Sequence, residues 1–570
     1  MSDGDGAAPV LVLGPLLRYA GETAATIWVE TDRACQVEIL GHQARTFEVA
    51  GHHYALVVAD GLQPGAEYEY QVALDGTVRW PEPGSGFPPS VLRTVHPGRS
   101  LRLVFGSCRI AELRAPRRSR ARVRHDAEHG ADALGDYALG LREAARERWP
   151  DVMLMIGDQV YADEVGPATR QFISARRDLS DPPGDQVADF TEYCFLYREA
   201  WSEPSVRWLL SVIPTAMIFD DHDVHDDWNT SAAWLREYRA KPWWQARISG
   251  AYMSYWIYQH LGNLSPDELG QDELWRLVQQ PGDAAAVLRD FAARAERQSP
   301  GIQWSFRRSF GRVRVVVIDS RSGRVLEDGR RLMVSEADWR WVTESVSGDW
   351  EHVVLATSLP LLLPPGIHAL EAWNEAVCDG AWGKRLARIG ERLRRAADLE
   401  HWAAFGTSFR AFERLLIGLA TGAYGPPPAS ITVLSGDIHH SYLAAVDLPR
   451  GADAPGAVHQ RSAVYQAVCS PIHNRLPDLL RRGQQLTTSR AGELAGRVLA
   501  RLAGVTKPEI RWRITRGPWF SNMLGTLEFE GRRASIRFER TAAGSAQPPR
   551  LQPVCETELA GFTIVITGGA

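Results

Sequence analysis

Four apolar runs in this chain each stop at a cluster of residues able to bind a metal, and that repetition constrains the fold more than any other feature. Val152-Met153-Leu154-Met155-Ile156 runs into Gly157-Asp158, with Tyr161 three residues on. Leu101 to Phe105 runs into Gly106-Ser107-Cys108-Arg109, and Val212 to Phe219 into Asp220-Asp221-His222-Asp223. Ile431 to Ser435 runs into Gly436-Asp437-Ile438-His439-His440. Short apolar or β-branched runs are the pattern of strands buried on both faces. With helical stretches between them they predict a layered α/β core. In such folds ligands bind beyond the carboxyl ends of the strands. The four ends are therefore expected to build one site.

Each cluster alone also admits a plainer reading. Cys108 by itself reads as a small buried hydrophobe, and Asp220 to Asp223 as a helix start, where Asp is favoured. Four consecutive polar residues exceed what one cap needs. Strand-like alternation points Asp437 and His439 to the same side, leaving His440 for a structural role.

The donor types differ in softness. Cys108 thiolate and Tyr161 phenolate suit a transition metal and together favour ferric iron, with His439 completing that set. Asp221 and Asp437 offer only hard oxygens, which suits Ca²⁺ or Mg²⁺. Asp158 is the natural bridge between the two. Two cations held ~3.5–4 Å apart clamp phosphoryl oxygens and lower the pKa of a bridging water, whose hydroxide attacks phosphorus. His222 is then free to stabilise the transition state or protonate the leaving oxygen. Arg321, at the end of the strand Arg314 to Ile318, and Arg109 are the candidates to neutralise substrate oxygens.

Composition narrows the class without naming a reaction. A chain of 570 residues, 45% hydrophobic and 23% charged, has the profile of a globular protein. Its formal charge of −5 gives no general pull toward nucleic acid. Only Lys241, Lys384 and Lys507 are lysines, so nearly all positive charge is arginine. The six cysteines are widely spaced and form no Cys-x-x-Cys pair, which argues against a disulfide scaffold or a zinc ribbon. The acidic start Met1-Ser2-Asp3-Gly4-Asp5 lacks the basic residues of a secretory signal. No apolar stretch approaches the ~20 residues that span a bilayer. These features predict a cytoplasmic protein with no membrane segment.

Residues 9–95 read as an N-terminal β-sandwich, in which Leu62 to Tyr68 resembles a tyrosine corner. The Pro- and Gly-rich stretch Pro81 to Pro89 is turn-rich linker. Residues 100–570 read as the core, with helical insertions at about 165–300 and 370–424 and closing strands near Met523 to Phe538. A helix is expected from about Asp136 to Arg148. The arginine run Arg114 to Arg124 reads as a solvated loop or as an electrostatic funnel. Glu400 and His401 are adjacent on an expected helix, face different ways, and read as structural.

In order and spacing, the motifs at Cys108, Asp158 to Asp163, Asp220 to Asp223, Asp319-Ser320-Arg321 and Asp437 to His439 resemble those of the PhoD-type alkaline phosphatases and phosphodiesterases. These are relatives of the calcineurin-like metallophosphatases. The resemblance implies a four-layer α/β/β/α core behind an immunoglobulin- or fibronectin-like β-sandwich. It implies Fe³⁺ held by Cys108, Asp158, Tyr161 and His439, Ca²⁺ held by Asp158, Asp221 and Asp437, and His222 as the catalytic imidazole. Mn²⁺, Zn²⁺ or Mg²⁺ are the alternative cations. The chain departs from the family in lacking a twin-arginine signal and in the acidic continuation His225-Asp226-Asp227-Trp228. Trp373-Asn374-Glu375 and Asp398 to Trp402 point to a distinct intracellular branch. The expected activity is metal-dependent hydrolysis of a small-molecule or polymeric phosphate ester, most simply a phosphodiester. The alternatives are a phosphomonoesterase with a narrow intracellular substrate, or a non-catalytic interaction protein on the same fold.

Overall fold

The apolar runs form strands whose alternate residues serve two different layers. In the strand Val313–Ile318, Val315 and Val317 point inward and share a core with Leu154 and Leu527 of a facing sheet. Val316 and Ile318 pack outward with Phe409, Phe412, Leu415 and Leu416 of the helix Gly406–Thr421. Both faces are buried, so the sequence is continuously apolar rather than alternating. Each such side chain contributes about 1.5–3 kcal/mol on burial.

The structure, a computed structural model, describes residues 8–111, 129–297, 302–327, 329–449, 462–475, 490–542 and 550–560. The expected arginine run Arg114 to Arg124 lies outside these residues.

Two sheets make the middle of the core. The six-stranded sheet runs in the order Thr215–Ile218, Val152–Ile156, Leu101–Gly106, Met523–Glu530, Arg533–Thr541, Leu551–Ala560. Its first three strands are parallel and the rest antiparallel. The seven-stranded sheet runs Phe306–Phe310, Val313–Ile318, His352–Thr357, Ser430–Ser435, Ala463–Val468, Ser441–Asp447, Arg511–Trp519. Four neighbouring strands in it, from Val313–Ile318 to Ala463–Val468, are parallel. Helices cover both outer faces, giving the four-layer α/β/β/α arrangement. The strands that carry Cys108, Asp158 and Asp221 thus belong to one sheet, and those that carry Arg321 and Asp437 to the other.

The sheets approach closely at their carboxyl ends. A Cβ on Gly436 would lie 2.0 Å from Ser107 Oγ, so only glycine fits there. The Asp437 N–H donates to that same hydroxyl at 3.2 Å.

Ahead of the core, two four-stranded antiparallel sheets form the N-terminal β-sandwich. Its tyrosine corner is present: Gln63 N–H donates to Tyr68 Oη at 2.8 Å. The sandwich is pinned to the core by the buried Arg18 guanidinium, which donates to Thr215 O at 3.0 Å and Gln259 O at 2.7 Å. Tyr70 Oη adds a 2.6 Å bond to Ser211 O. The helix expected from Asp136 runs instead over Ala133–Glu143, because the Asp132 carboxylate caps it by accepting from Leu134 N–H. Many aromatics of the following helical region are packing residues, as their spacing suggests: Trp201, Trp208, Trp228, Trp234, Trp244 and Trp256 are fully buried.

Candidate metal centre

A strand that ends at a ligand must turn sharply, and four of the expected ligands take that turn themselves. Cys108, Asp158, Asp437 and His439 have φ of 59°, 52°, 67° and 51°, left-handed values that cost non-glycine residues about 1–3 kcal/mol each. Strain concentrated on these residues, at the facing ends of two sheets, marks a functional constraint.

The turns bring the side chains together. Cys108 Sγ lies 3.3 Å from Asp158 Oδ2, and Tyr161 Oη lies 3.5 Å from the same oxygen. Ser470 Oγ contacts Cys108 Sγ at 3.2 Å and accepts from the His439 N–H at 3.2 Å, tying the two sheets' ligands to one hydroxyl. Asp158, Asp220, Asp221 and Asp437 each offer a ligand atom, all within 4.8 Å of one another. Asp221, His222 and Asp226 form a second group of the same kind.

These donors fit a cation. Asp158 Oδ1 and Asp220 Oδ2 are buried with no hydrogen-bond partner, a state that costs free energy unless an ion satisfies it. Burial and neighbouring carboxylates push Asp158, Asp220 and Asp221 above the ordinary carboxylate range, despite nearby cationic groups. Burial, reinforced by Asp158, raises the Cys108 thiol and, together with Cys108, the Tyr161 phenol. Both become metal ligands only as anions, and a bound cation reverses these shifts. Burial, helped by His222, lowers His439 to about 4, so its imidazole is neutral and able to ligate at neutral pH.

His222 sits at the edge of the cluster, its side chain 18% exposed against 4% for its partner Asp163. Its Nδ1 is 2.9 and 3.1 Å from the two Asp163 oxygens, and its ring lies 4.5 Å from that of Tyr161. Burial alone would lower its pKa, but Asp163, followed by Asp221 and Asp158, holds it well above the ordinary imidazole value. Asp163 also accepts from the Asp226 N–H at 2.6 Å.

Two expectations are corrected. Arg109 does not reach toward substrate. Its guanidinium, 1% exposed, is bound to Asp132 at 2.7 Å and to Ala200 O at 2.7 Å. Arg321 is wholly buried among Asp220, Asp221 at 3.2 Å, Glu400 at 2.6 Å and Asp437 at 3.4 Å. It neutralises carboxylates rather than presenting charge to a ligand in solution.

Glu400 and His401 are not remote structural residues either. Glu400 pairs with Arg321 and with Arg324 at 3.1 Å. His401 Nε2 lies 3.0 Å from Asp437 Oδ2, while its Nδ1 lies 2.6 Å from Glu371. Burial opposes the charge on Asp437, but His401 and Arg321 hold its carboxyl below the usual range. The sequence carried a signal for Asp163, a second carboxylate in the Asp158 motif. It carried none for Asp220's open oxygen, Ser470, or the arrival of Glu400 and His401.

Residues 134–348 match the family model of the PhoD-like phosphatases. That stretch is a PhoD-like phosphatase domain. Residues 8–92 match a domain of unknown function, DUF7800. No curated protein sequence matches the chain. Among solved structures, one titled "Structure of PhoD" is similar with a TM-score of 0.57 at 13% identity, covering 100% of this chain and 95% of that one. A purple acid phosphatase from yellow lupin (Lupinus luteus) seeds is more distant, with a TM-score of 0.46 at 10% identity over 95% of this chain and 74% of that one. The PhoD-like match spans Asp158, His222 and Arg321 and stops before Asp437 and His439. The similarity in fold to the PhoD structure covers the whole chain and so includes the sheet on which they stand.

Proposed function

We propose that this chain is a metal-dependent phosphoesterase that prefers phosphodiesters. The observation that carries the reading is the cluster of four carboxylates at the meeting ends of two sheets, in which Asp158 and Asp220 each keep a buried oxygen without a hydrogen-bond partner, beside a carboxylate-held imidazole. Cys108, Asp158, Tyr161 and His439 would hold Fe³⁺, and Asp158, Asp221 and Asp437 would hold Ca²⁺. Bound there, the cations supply positive charge for phosphoryl oxygens and acidify a water for attack.

The protein's own groups do the rest. Asp163 fixes the His222 ring through Nδ1 and favours its protonated form, leaving Nε2 to donate to the leaving oxygen. Arg321 and His401 hold the Asp437 oxygens in place. The diester preference rests on the arginines: with Arg109 and Arg321 sequestered, a singly charged ester suits the site better than a dianion. All six cysteines are unpaired, which suits a reducing, cytoplasmic compartment. No helix among the described residues is long and apolar enough to cross a membrane.

Elemental analysis and a visible spectrum of the purified protein test the metals. Iron and calcium are expected, with a charge-transfer band that weakens in Cys108→Ala and Tyr161→Phe. Hydrolysis of bis(p-nitrophenyl) phosphate should exceed that of p-nitrophenyl phosphate. An iron-free, colourless enzyme with full activity would overturn the assignment of Cys108 and Tyr161, and a monoester preference would overturn the substrate class.

A further inference from the structure

Two helices on the far side of the His401 loop are amphipathic the wrong way round for a core. The helix Lys384–Ala396 buries Gly390 against the helix Pro365–Cys378 and buries Arg394, yet exposes Leu386, Ile389 and Leu393 at 41%, 58% and 38%. The helix Arg490–Leu502 rests on that same central helix through Gly496, which lies against Gly366 and Ala369. It exposes Leu494, Val498 and Leu502 at 66%, 44% and 69%. Spacings of three and four residues in the first set, and of four and four in the second, make each a single stripe. Six of the nine large exposed hydrophobics among the described residues fall on these two helices, so this is a patch rather than scatter. Trp382 Nε1, just before the first helix, donates to Leu502 O at 3.3 Å, which brings the start of one striped helix to the end of the other.

Basic residues outnumber acids beside the stripes. Lys384, Arg385, Arg388 and Arg392 are exposed on the first helix, whose one acid, Glu391, is occupied by Arg394. On the second, Arg501 is exposed and Arg497 is paired with the helix's one acid, Glu493. This stands out on a chain of net charge −5. Between the second helix and the strand Arg511–Trp519 opens a cavity of about 910 Å³, whose lining is of mixed charge, with Arg501, Lys507 and Arg511 beside Glu375, Asp379 and Asp447.

We infer that this face docks on an anionic lipid bilayer, with the leucine stripes in the headgroup–acyl boundary and the arginines on the lipid phosphates. Basic amphipathic helices lie in that plane, and a membrane need not be spanned for it to bind. A second copy of the chain fits the face poorly, because a two-fold contact would set the same cations against each other. The inference does not depend on the proposed reaction. It does place the bilayer near the candidate metal centre, since Glu371 of the central helix holds His401, which holds Asp437.

Co-sedimentation of the full-length protein with vesicles tests this. The protein should pellet with phosphatidylcholine vesicles containing phosphatidylserine, not with phosphatidylcholine alone, and raised salt should release it. Each arginine at an anionic surface is worth roughly fivefold in partition, so Arg385→Gln/Arg388→Gln/Arg392→Gln should weaken it about a hundredfold. Ile389→Asp/Val498→Asp should abolish it with an unchanged melting temperature, because both side chains face solvent. Equal behaviour toward both kinds of vesicle would overturn the inference. So would a stable dimer in sedimentation velocity that Ile389→Asp/Val498→Asp converts to monomers without any vesicle binding.

Discussion

Replacing Asp163 by Asn tests the link between the carboxylate and the imidazole at the candidate centre. The side chain is nearly covered, 4% exposed, and keeps its volume in Asp163→Asn. What changes is charge and donor pattern. Nδ1 of His222 now meets a carboxylate at 2.9 and 3.1 Å. In the variant it meets an amide that carries no charge to stabilise the imidazolium and offers a donor as well as an acceptor. The Asp226 N–H, 2.6 Å from Oδ2, can keep its acceptor if the amide oxygen turns toward it, which leaves the amide nitrogen facing the ring. A hydrogen bond between charged partners is worth about 1.5–3 kcal/mol. At about 1.4 kcal/mol per decade, kcat for bis(p-nitrophenyl) phosphate should fall roughly 10- to 150-fold. KM should change much less, because Asp163 acts through His222 and not on the substrate. Steady-state kinetics, with metal content and melting temperature measured on the same preparation, read this out. A folded, metal-replete Asp163→Asn enzyme with kcat within about twofold of the parent would refute the reasoning.

Asp132→Asn should destabilise the fold by about 3–5 kcal/mol, because it keeps the cap on the Ala133–Glu143 helix but leaves the Arg109 guanidinium buried and unpaired. Burial opposes the charge on Asp132, but Arg109 and then His473 hold its pKa below the ordinary value. Its contribution is therefore full above the unfolded-state pKa and lost as pH falls through the folded one. Thermal melts of the two proteins should accordingly converge in acid; a gap that widens there would contradict the pairing. Gly157→Ala puts a Cβ 2.7 Å from Asp220 Cβ at a residue with φ of 99°. It should cost about 1–3 kcal/mol in stability and, by displacing Asp158 and Asp220, reduce bound metal measured by elemental analysis. Undiminished metal content in that variant would show that the tight turn does not position the ligands.

Much of the candidate site is legible in the sequence because its signals are local. A run such as Val152 to Ile156 announces a strand buried on both faces, and the residues that follow it must emerge at the strand's end. That reasoning reaches Cys108, Asp158, Asp221 and Asp437 without knowing which strands are neighbours. It fails for the arginines. A guanidinium at a strand end looks the same whether it faces a substrate or a carboxylate. Only the packing shows Arg109 closed off by Asp132, and Arg321 by Asp220, Asp221, Glu400 and Asp437.

His401 fails for a related reason, since it comes from a loop with no strand-end pattern and reaches Asp437 across 36 residues. The stripe Leu386, Ile389, Leu393 shows the same division. Its helical period is a property of the sequence, but which way the stripe faces is decided by Gly390, which lets the opposite side press against Cys378 and Val377. Strand ends and donor types were thus set by the sequence alone, through periodicity and burial along a few residues. Which charges meet, and which apolar faces are left to solvent, depended on contacts between segments far apart in the chain, and those only the tertiary structure decided.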